Sequence, residues 1–315
     1  MILSNFGKLK KCDINPRKAI HVSEDSMQNN TPTTADSPHR HISFTAHYTG
    51  YIWFQEGISN AALASNKGRW LAKLVSPLER WAENIIGDSM RTTLRQRHGL
   101  IDRQLDLFLA EHPDAQVLEI ATGLSPRGWR YRQKYPNLVY VEADLPEMAA
   151  AKRQALSQIE TPAPRIEAVD LFGEGFQHLL DSFDTKKPLV IISEGLVNYF
   201  TKDMLNDLWT RLATGLKQFS IGVYLTDLYP EPVTRRLAKL IWNSSKILKV
   251  MSRSAFAFHF VSPTEVITAM KTAGFNQSVV FQPSDKPKRI EVKNAKSQDT
   301  AEHLGDLVWV IESRV

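Results

Sequence analysis

The stretch Val117-Leu118-Glu119-Ile120-Ala121-Thr122-Gly123-Leu124-Ser125-Pro126 reads as a buried strand ending in an acid, a small-residue turn and a helix start. That order brings a backbone loop close to a ligand and aims a helix N-terminus at it. Gly123 is where the chain turns tightly enough for a ligand to approach the backbone. Ser125 and Pro126 are expected as N-cap and first helical residue. The next strand, Leu138-Val139-Tyr140-Val141-Glu142-Ala143-Asp144, also ends in carboxylates. Two successive strand-to-helix turns of this polarity describe a nucleotide-type cofactor site.

Downstream the rhythm continues. Strands are expected at 116–121, 138–143, 165–170, 188–193 and 220–226, with helices near 126–135, 146–159, 174–182 and 202–218. Strands as apolar as Pro188-Leu189-Val190-Ile191-Ile192 suit a parallel sheet covered on both faces. The helix at 202–218 has Thr201 as N-cap and Leu205, Leu208, Leu212 and Leu216 on one face. A capping box with proline, Ser262-Pro263-Thr264-Glu265, opens a later helix that stops at Ala273-Gly274. Ser278–Phe281 and Leu307–Ile311 read as the last two strands.

Upstream, Leu100, Ile101, Leu105, Phe108 and Leu109 form one stripe at helical spacing, and Trp70, Leu71, Leu74 and Val75 another. The expected fold is therefore α/β: a Rossmann-like, doubly wound, mostly parallel seven-stranded sheet with an antiparallel terminal strand, plus an N-terminal helical cap. Residues 1–43 are polar and expected as a flexible leader, 44–113 as the cap, and 114–315 as the cofactor-binding domain. An insertion at 230–260, basic and aromatic, interrupts that domain and is a candidate lid over the site.

Composition narrows the function classes. With 315 residues, 43% hydrophobic and 23% charged, the chain is long and apolar enough for a sizeable core. The net charge of +5 is mild. Two basic clusters, Arg235-Arg236 with Lys239 and Lys286-Pro287-Lys288-Arg289, read as solvated surface rather than a nucleic-acid footprint. A single cysteine, Cys12, excludes an intrachain disulfide and a cysteine metal cluster. No window approaches the ~20 apolar residues of a membrane helix. The expectation is a cytoplasmic protein with a small-molecule substrate, no metal, and neither nucleic acid nor membrane as partner; its oligomeric state is not set.

The acids at the strand ends carry the chemistry. Glu142 and Asp144 fall on one face of their strand, and either suits both hydroxyls of a ribose. Asp170 beside the Leu171 N–H matches the edge of an adenine. Glu194, leaving an apolar strand, requires a partner, which a sulfonium or ammonium cofactor would provide. The first loop lacks the full G-x-G-x-x-G that holds a pyrophosphate. S-adenosylmethionine therefore fits better than a dinucleotide. An NAD-dependent oxidoreductase is the rival reading, and a non-catalytic cofactor-binding homologue a second.

The combination of Thr45–Trp53, Glu119–Tyr131 (EIATGLSPRGWRY), Tyr140–Lys152 (YVEADLPEMAAAK), Ser193–Phe200 (SEGLVNYF) and Tyr224–Leu228 (YLTDL) resembles class I S-adenosylmethionine-dependent methyltransferases. Within these it resembles the leucine carboxyl methyltransferase superfamily, and in particular its tetracenomycin-type polyketide O-methyltransferases. The resemblance implies methyl transfer to a carboxylate or phenolic oxygen of a small, polyketide-like acceptor. It implies Arg97 as partner of the cofactor carboxylate, Glu119 and Gly123 on the first strand and loop, and Asp144 on the ribose. Asp170 and Leu171 would meet the adenine, and Glu194 the methionine end. Tyr48, Tyr51 and Trp53 would cap the cofactor mouth. Asn198 and Tyr199 lie where an acceptor would sit. Ala121 replaces the usual first glycine of the loop, and Ser125 an aspartate common in the carboxyl methyltransferases. No catalytic base is nominated for a carboxylate acceptor; a phenolic one would turn attention to His47 and His259.

Overall fold

The computed structural model describes residues 39–86, 90–231, 257–283 and 307–315. The leader up to residue 38, both basic clusters and 232–256 of the insertion lie outside the described residues. Three helices come first: α1 (His39–Gln55), α2 (Asn66–Ile86) and α3 (Met90–Glu111). The alternating region supplies β1 (Gln116–Ile120), α4 (Arg127–Lys134), β2 (Val139–Asp144), α5 (Pro146–Leu156), β3 (Ile166–Ala168) and α6 (Gly175–Asp181). It continues through β4 (Leu189–Ser193), α7 (Lys202–Leu216), β5 (Gly222–Leu228), α8 (Pro263–Ala273), β6 (Gln277–Phe281) and β7 (Trp309–Arg314).

The strands form one sheet in the order β3-β2-β1-β4-β5-β7-β6. The first five are parallel, and β7 runs antiparallel to both β5 and β6. Strand order reverses at β1, whose neighbours are β2 and β4, so the crevice for a ligand opens at their C-terminal ends. The two-residue period of each strand divides the core. Leu118, Ile120, Val141 and Ile191 face α6, α7 and α8, packing with Leu205, Leu208, Trp209 and Leu212. Val117, Tyr140, Val190 and Ile192 face α3, packing with Ile101, Leu105 and Phe108. Glu119 and Glu142, on that second face, sit side by side in register across β1 and β2.

Several boundaries move. Helix α1 begins at His39, within the stretch 1–43; His39-Arg40-His41 carries no apolar period that would reveal a helix. The aromatic run from Thr45 to Phe54 lies within that helix. The α4 helix starts at Arg127, one residue later than Ser125-Pro126 suggested, although Ser125 Oγ still accepts the Arg127 N–H at 3.3 Å. In β7 the strand is 309–314 rather than 307–311. α1 and α2 touch backbone to backbone: a Cβ on Gly68 would fall 2.1 Å from the His47 carbonyl oxygen. Among the described residues, no helix is long and apolar enough to cross a membrane.

Candidate active site

The loop after β1 bends through two left-handed residues, Ala121 at φ 50° and Gly123 at φ 51°. Its open curve is fixed by β2. The Gly123 N–H donates to Asp144 Oδ2 at 2.7 Å, and the Leu145 N–H donates to Oδ1 at 2.7 Å. Burial pushes the Asp144 carboxyl upward, against these two N–H donors and Lys152. Each carboxylate oxygen accepts more than one hydrogen bond, so Asp144 retains capacity for a ligand hydroxyl. The β3 loop hangs from the same residue, with the Val169 N–H on the Asp144 carbonyl at 2.8 Å. There Asp170 is exposed and accepts the Phe172 N–H at 3.0 Å, while Leu171 is buried.

Glu142 and Asp144 differ in what covers them. Glu142 is fully buried, paired with Lys152 of α5 and with Arg132 of α4 at 2.9 Å. It belongs to the packing of α4 and α5, whereas Asp144 is only partly buried and is held by backbone N–H groups of Gly123 and Leu145.

At the β4 end the sequence expectation needs correction. Glu194 does require a partner, and the chain itself provides three. Oε1 accepts from Arg97 Nε at 2.9 Å, and Oε2 accepts from Arg127 Nη2 at 2.6 Å and lies 2.8 Å from His98 Nδ1. Burial opposes its charge, yet His98, Arg127 and Arg97 outweigh that and hold the carboxyl well below its usual range.

Arg127 is the hub that sequence reasoning missed. Its guanidinium is fully buried and reaches Asp102 Oδ1 at 2.7 Å through Nε, Glu119 Oε1 at 2.8 Å through Nη1, and Glu194 through Nη2. Glu119 also accepts from Ser125 Oγ and Tyr140 Oη, at 3.0 and 2.8 Å. Both its oxygens are thus engaged within the protein. The one available signal was its spacing: Arg127, Arg130 and Arg132 crowd one short helix beside a strand pair bearing two adjacent acids.

Arg97 of α3 lies across the β4 and β5 ends. Nη1 donates to Tyr229 Oη at 3.2 Å and stands 3.6 Å from Asp227 Oδ2. Among the described residues, Nη2 has no hydrogen-bond acceptor. Burial raises the Asp227 carboxyl, partly offset by Arg97, and lifts the Tyr229 hydroxyl to about 12. Gly195, at φ 70°, lies under the guanidinium, where a Cβ would come 3.0 Å from both terminal nitrogens. Gly195→Ala is expected to cost about 1–3 kcal/mol through strained backbone and displaced arginine. Urea unfolding of the variant checks this; an unchanged midpoint would show that the guanidinium moves freely.

The expected acceptor residues are placed differently from one another. Asn198 is buried, and its amide clamps three backbone groups: the Tyr229 N–H at 2.8 Å, the Tyr229 carbonyl at 3.0 Å and the Ala257 carbonyl at 2.8 Å. Tyr199 Oη donates to Thr45 Oγ1 of α1 at 3.2 Å, joining the β4 loop to the cap. Tyr48 and Trp53 pack inside the cap with Ile52, Leu71 and Val75, and Tyr51 is half-buried against them. His47 Nδ1 meets Ser65 Oγ at 2.9 Å, and His259 Nε2 the Phe200 carbonyl at 2.9 Å. Burial lowers both imidazoles, with Lys67 acting the same way on His47 and the Phe200 carbonyl opposing it at His259.

Sheet order and this crevice define an α/β protein of the Rossmann-like methyltransferase fold. The leucine carboxyl methyltransferase family model matches residues 57–213 of the chain. It is similar to the tetracenomycin polyketide synthesis O-methyltransferase TcmP of Streptomyces glaucescens, 28% identical over 137 residues, 42% of this chain and 47% of that protein. It is also similar to the S-adenosyl-L-methionine-dependent methyltransferase dpfgK of Gibberella zeae, 23% identical over 179 residues, 55% of this chain and 57% of the other. The matches span about half the length of these curated relatives. A crystal structure of a candidate methyltransferase from Thermobifida fusca shares the fold, with a TM-score of 0.50 and 14% identity over 87% of this chain and 93% of that one.

Proposed function

We propose that the chain is an S-adenosylmethionine-dependent O-methyltransferase acting on a small-molecule acceptor. The observation that carries this is the Gly123–Asp144 clasp, which sets a left-handed loop and a carboxylate side by side at the switch point of the sheet. The family-model match and the similarity to two methyltransferases support it. When bound, S-adenosylmethionine supplies a methyl group activated on a sulfonium.

The residues fit that group as follows. Asp144 would accept from the ribose hydroxyls, Asp170 and the Leu171 N–H would meet the adenine, and Arg97 Nη2 would take the carboxylate. Glu119 and Glu194 act indirectly, by holding the arginines that shape the loop and the β4 end. Asn198 shapes the acceptor side by fixing the segments around Tyr229 and Ala257, and Tyr199, with Tyr48 and Tyr51, brings the cap over it. Catalysis then comes chiefly from holding the acceptor oxygen in line with the methyl group. A carboxylate acceptor is ionised at neutral pH and needs no base. The engagement of His47 and His259 in protein contacts supports that choice over a phenol.

Calorimetry with S-adenosylhomocysteine, with NADH as control, tests the cofactor; labelled methyl transfer to small molecules, read by mass, tests the reaction. Tighter binding of NADH would sink the proposal. Asp144→Ala is expected to weaken S-adenosylhomocysteine by about 1–3 kcal/mol, the loss usual for hydrogen bonds to a charged group. Unchanged affinity in that variant would remove Asp144 from the site.

A further inference from the structure

The family likeness gives Arg127 no role, yet it is the fully buried cation through which α3, β1 and β4 meet. Its bond to Glu194 Oε2 leaves Oε1 for Arg97 Nε. The carboxylate between the two arginines therefore sets where the Arg97 guanidinium lies, with Gly195 beneath it. Asp102 and Glu119 pin Arg127 from α3 and β1, so it cannot turn with its partner. Arg97 and Asp102 belong to the same helix, so α3 is tied twice to one arginine–glutamate pair.

We propose that Arg127 is a positioning residue for the amino-acid end of the cofactor, acting through Glu194 on Arg97. This rests on the reading of Arg97 given above. Arg127 does not touch the cofactor itself. A planar guanidinium binds three acceptors in fixed directions, whereas a lysine ammonium at the same place supplies charge from a single point. Arg127→Lys therefore keeps the charge and loses the aim.

The test uses the full chain and two ligands, S-adenosylhomocysteine and 5′-methylthioadenosine, which lacks the amino-acid group. In the unmodified protein S-adenosylhomocysteine is expected to bind more tightly. Arg127→Lys should weaken it roughly tenfold or more, the range for hydrogen bonds to charged groups, and leave methylthioadenosine unchanged. Glu194→Gln keeps Arg127 but cuts the relay; it should give the same selective loss, and it serves if the lysine variant does not fold. Arg97→Ala should abolish the preference, and adding Arg127→Lys to it should take away nothing more.

Equal loss of both ligands in Arg127→Lys and in Glu194→Gln would reduce Arg127 to a purely structural part. Full retention of the preference in both would also overturn the proposal. If Arg97→Ala itself keeps the preference, the reading of Arg97 fails, and that result is distinct from either outcome at Arg127.

Discussion

Arg127→Met is expected to cost about 3–5 kcal/mol of folding stability, the usual effect of removing one partner from a buried ion network. The side chain is 0% exposed, and Asp102, Glu119 and Glu194 all depend on it. Methionine fills much of the space, so lost packing is the smaller part. The larger part is three carboxylates left in a poorly hydrated pocket, with Glu194 still held by Arg97 and His98 and Asp102 by Arg130. Glu119 keeps only its hydroxyl donors, Ser125 and Tyr140. Urea unfolding at neutral pH measures the loss. As a comparison, Arg165 pairs with Glu167 at the surface, where both side chains are about two-fifths exposed, and such pairs contribute only about 0–1 kcal/mol. A loss that small in Arg127→Met would mean that the pocket hydrates readily and the network is dispensable.

The second large effect separates two acids on one strand. Glu142→Ala is expected to remove about 3–5 kcal/mol of stability, while cofactor affinity in the folded fraction stays as it was. Lys152 is fully buried and Arg132 partly so, and both lose their shared carboxylate, leaving Arg132 with Glu160. Gly128 marks how closely α4 sits over it: a Cβ there would lie 2.5 Å from the Glu142 carboxyl carbon. Among the described residues, Asp144, two residues on, has no cation at hydrogen-bond distance and holds only backbone N–H groups. Its replacement should show the reverse pattern, with a ligand effect exceeding the stability effect. Thermal unfolding together with S-adenosylhomocysteine titration of both variants reads the contrast. A Glu142→Ala protein with native stability and weak ligand binding would exchange the two roles.

Much of the sheet was legible because its strands are uniformly apolar and its helices have one greasy side. Thr201, Ser262 and Gly274 marked helix ends for local reasons, and those ends lie where expected. The loop after β1 was legible because left-handed backbone and small residues go together. What sequence could not give was the pairing of charges. Glu194 was expected to await a cationic ligand, and its partners sit 67 to 97 residues away in the chain, on α3 and α4. Asn198 has the same history. An amide past a strand tip suggests contact with an acceptor, and only the fold shows that Tyr229 and Ala257 engage it. Such partnerships are set by which elements the sheet order brings together, and no local period encodes them.

The placement of β7 has a consequence for assembly. Among the described residues, β6 joins the sheet only through β7, which is itself wedged beside β5. Synthesis delivers β6 well before β7, the strand it pairs with among the described residues, so the α8–β6 segment must wait with an open edge until residues 309–314 emerge. A ribosome-bound chain that stops short of Trp309 holds a five-stranded platform and lacks two strands rather than one. The final rank of the sheet closes in a single late event, with long-range pairing that is slow by nature.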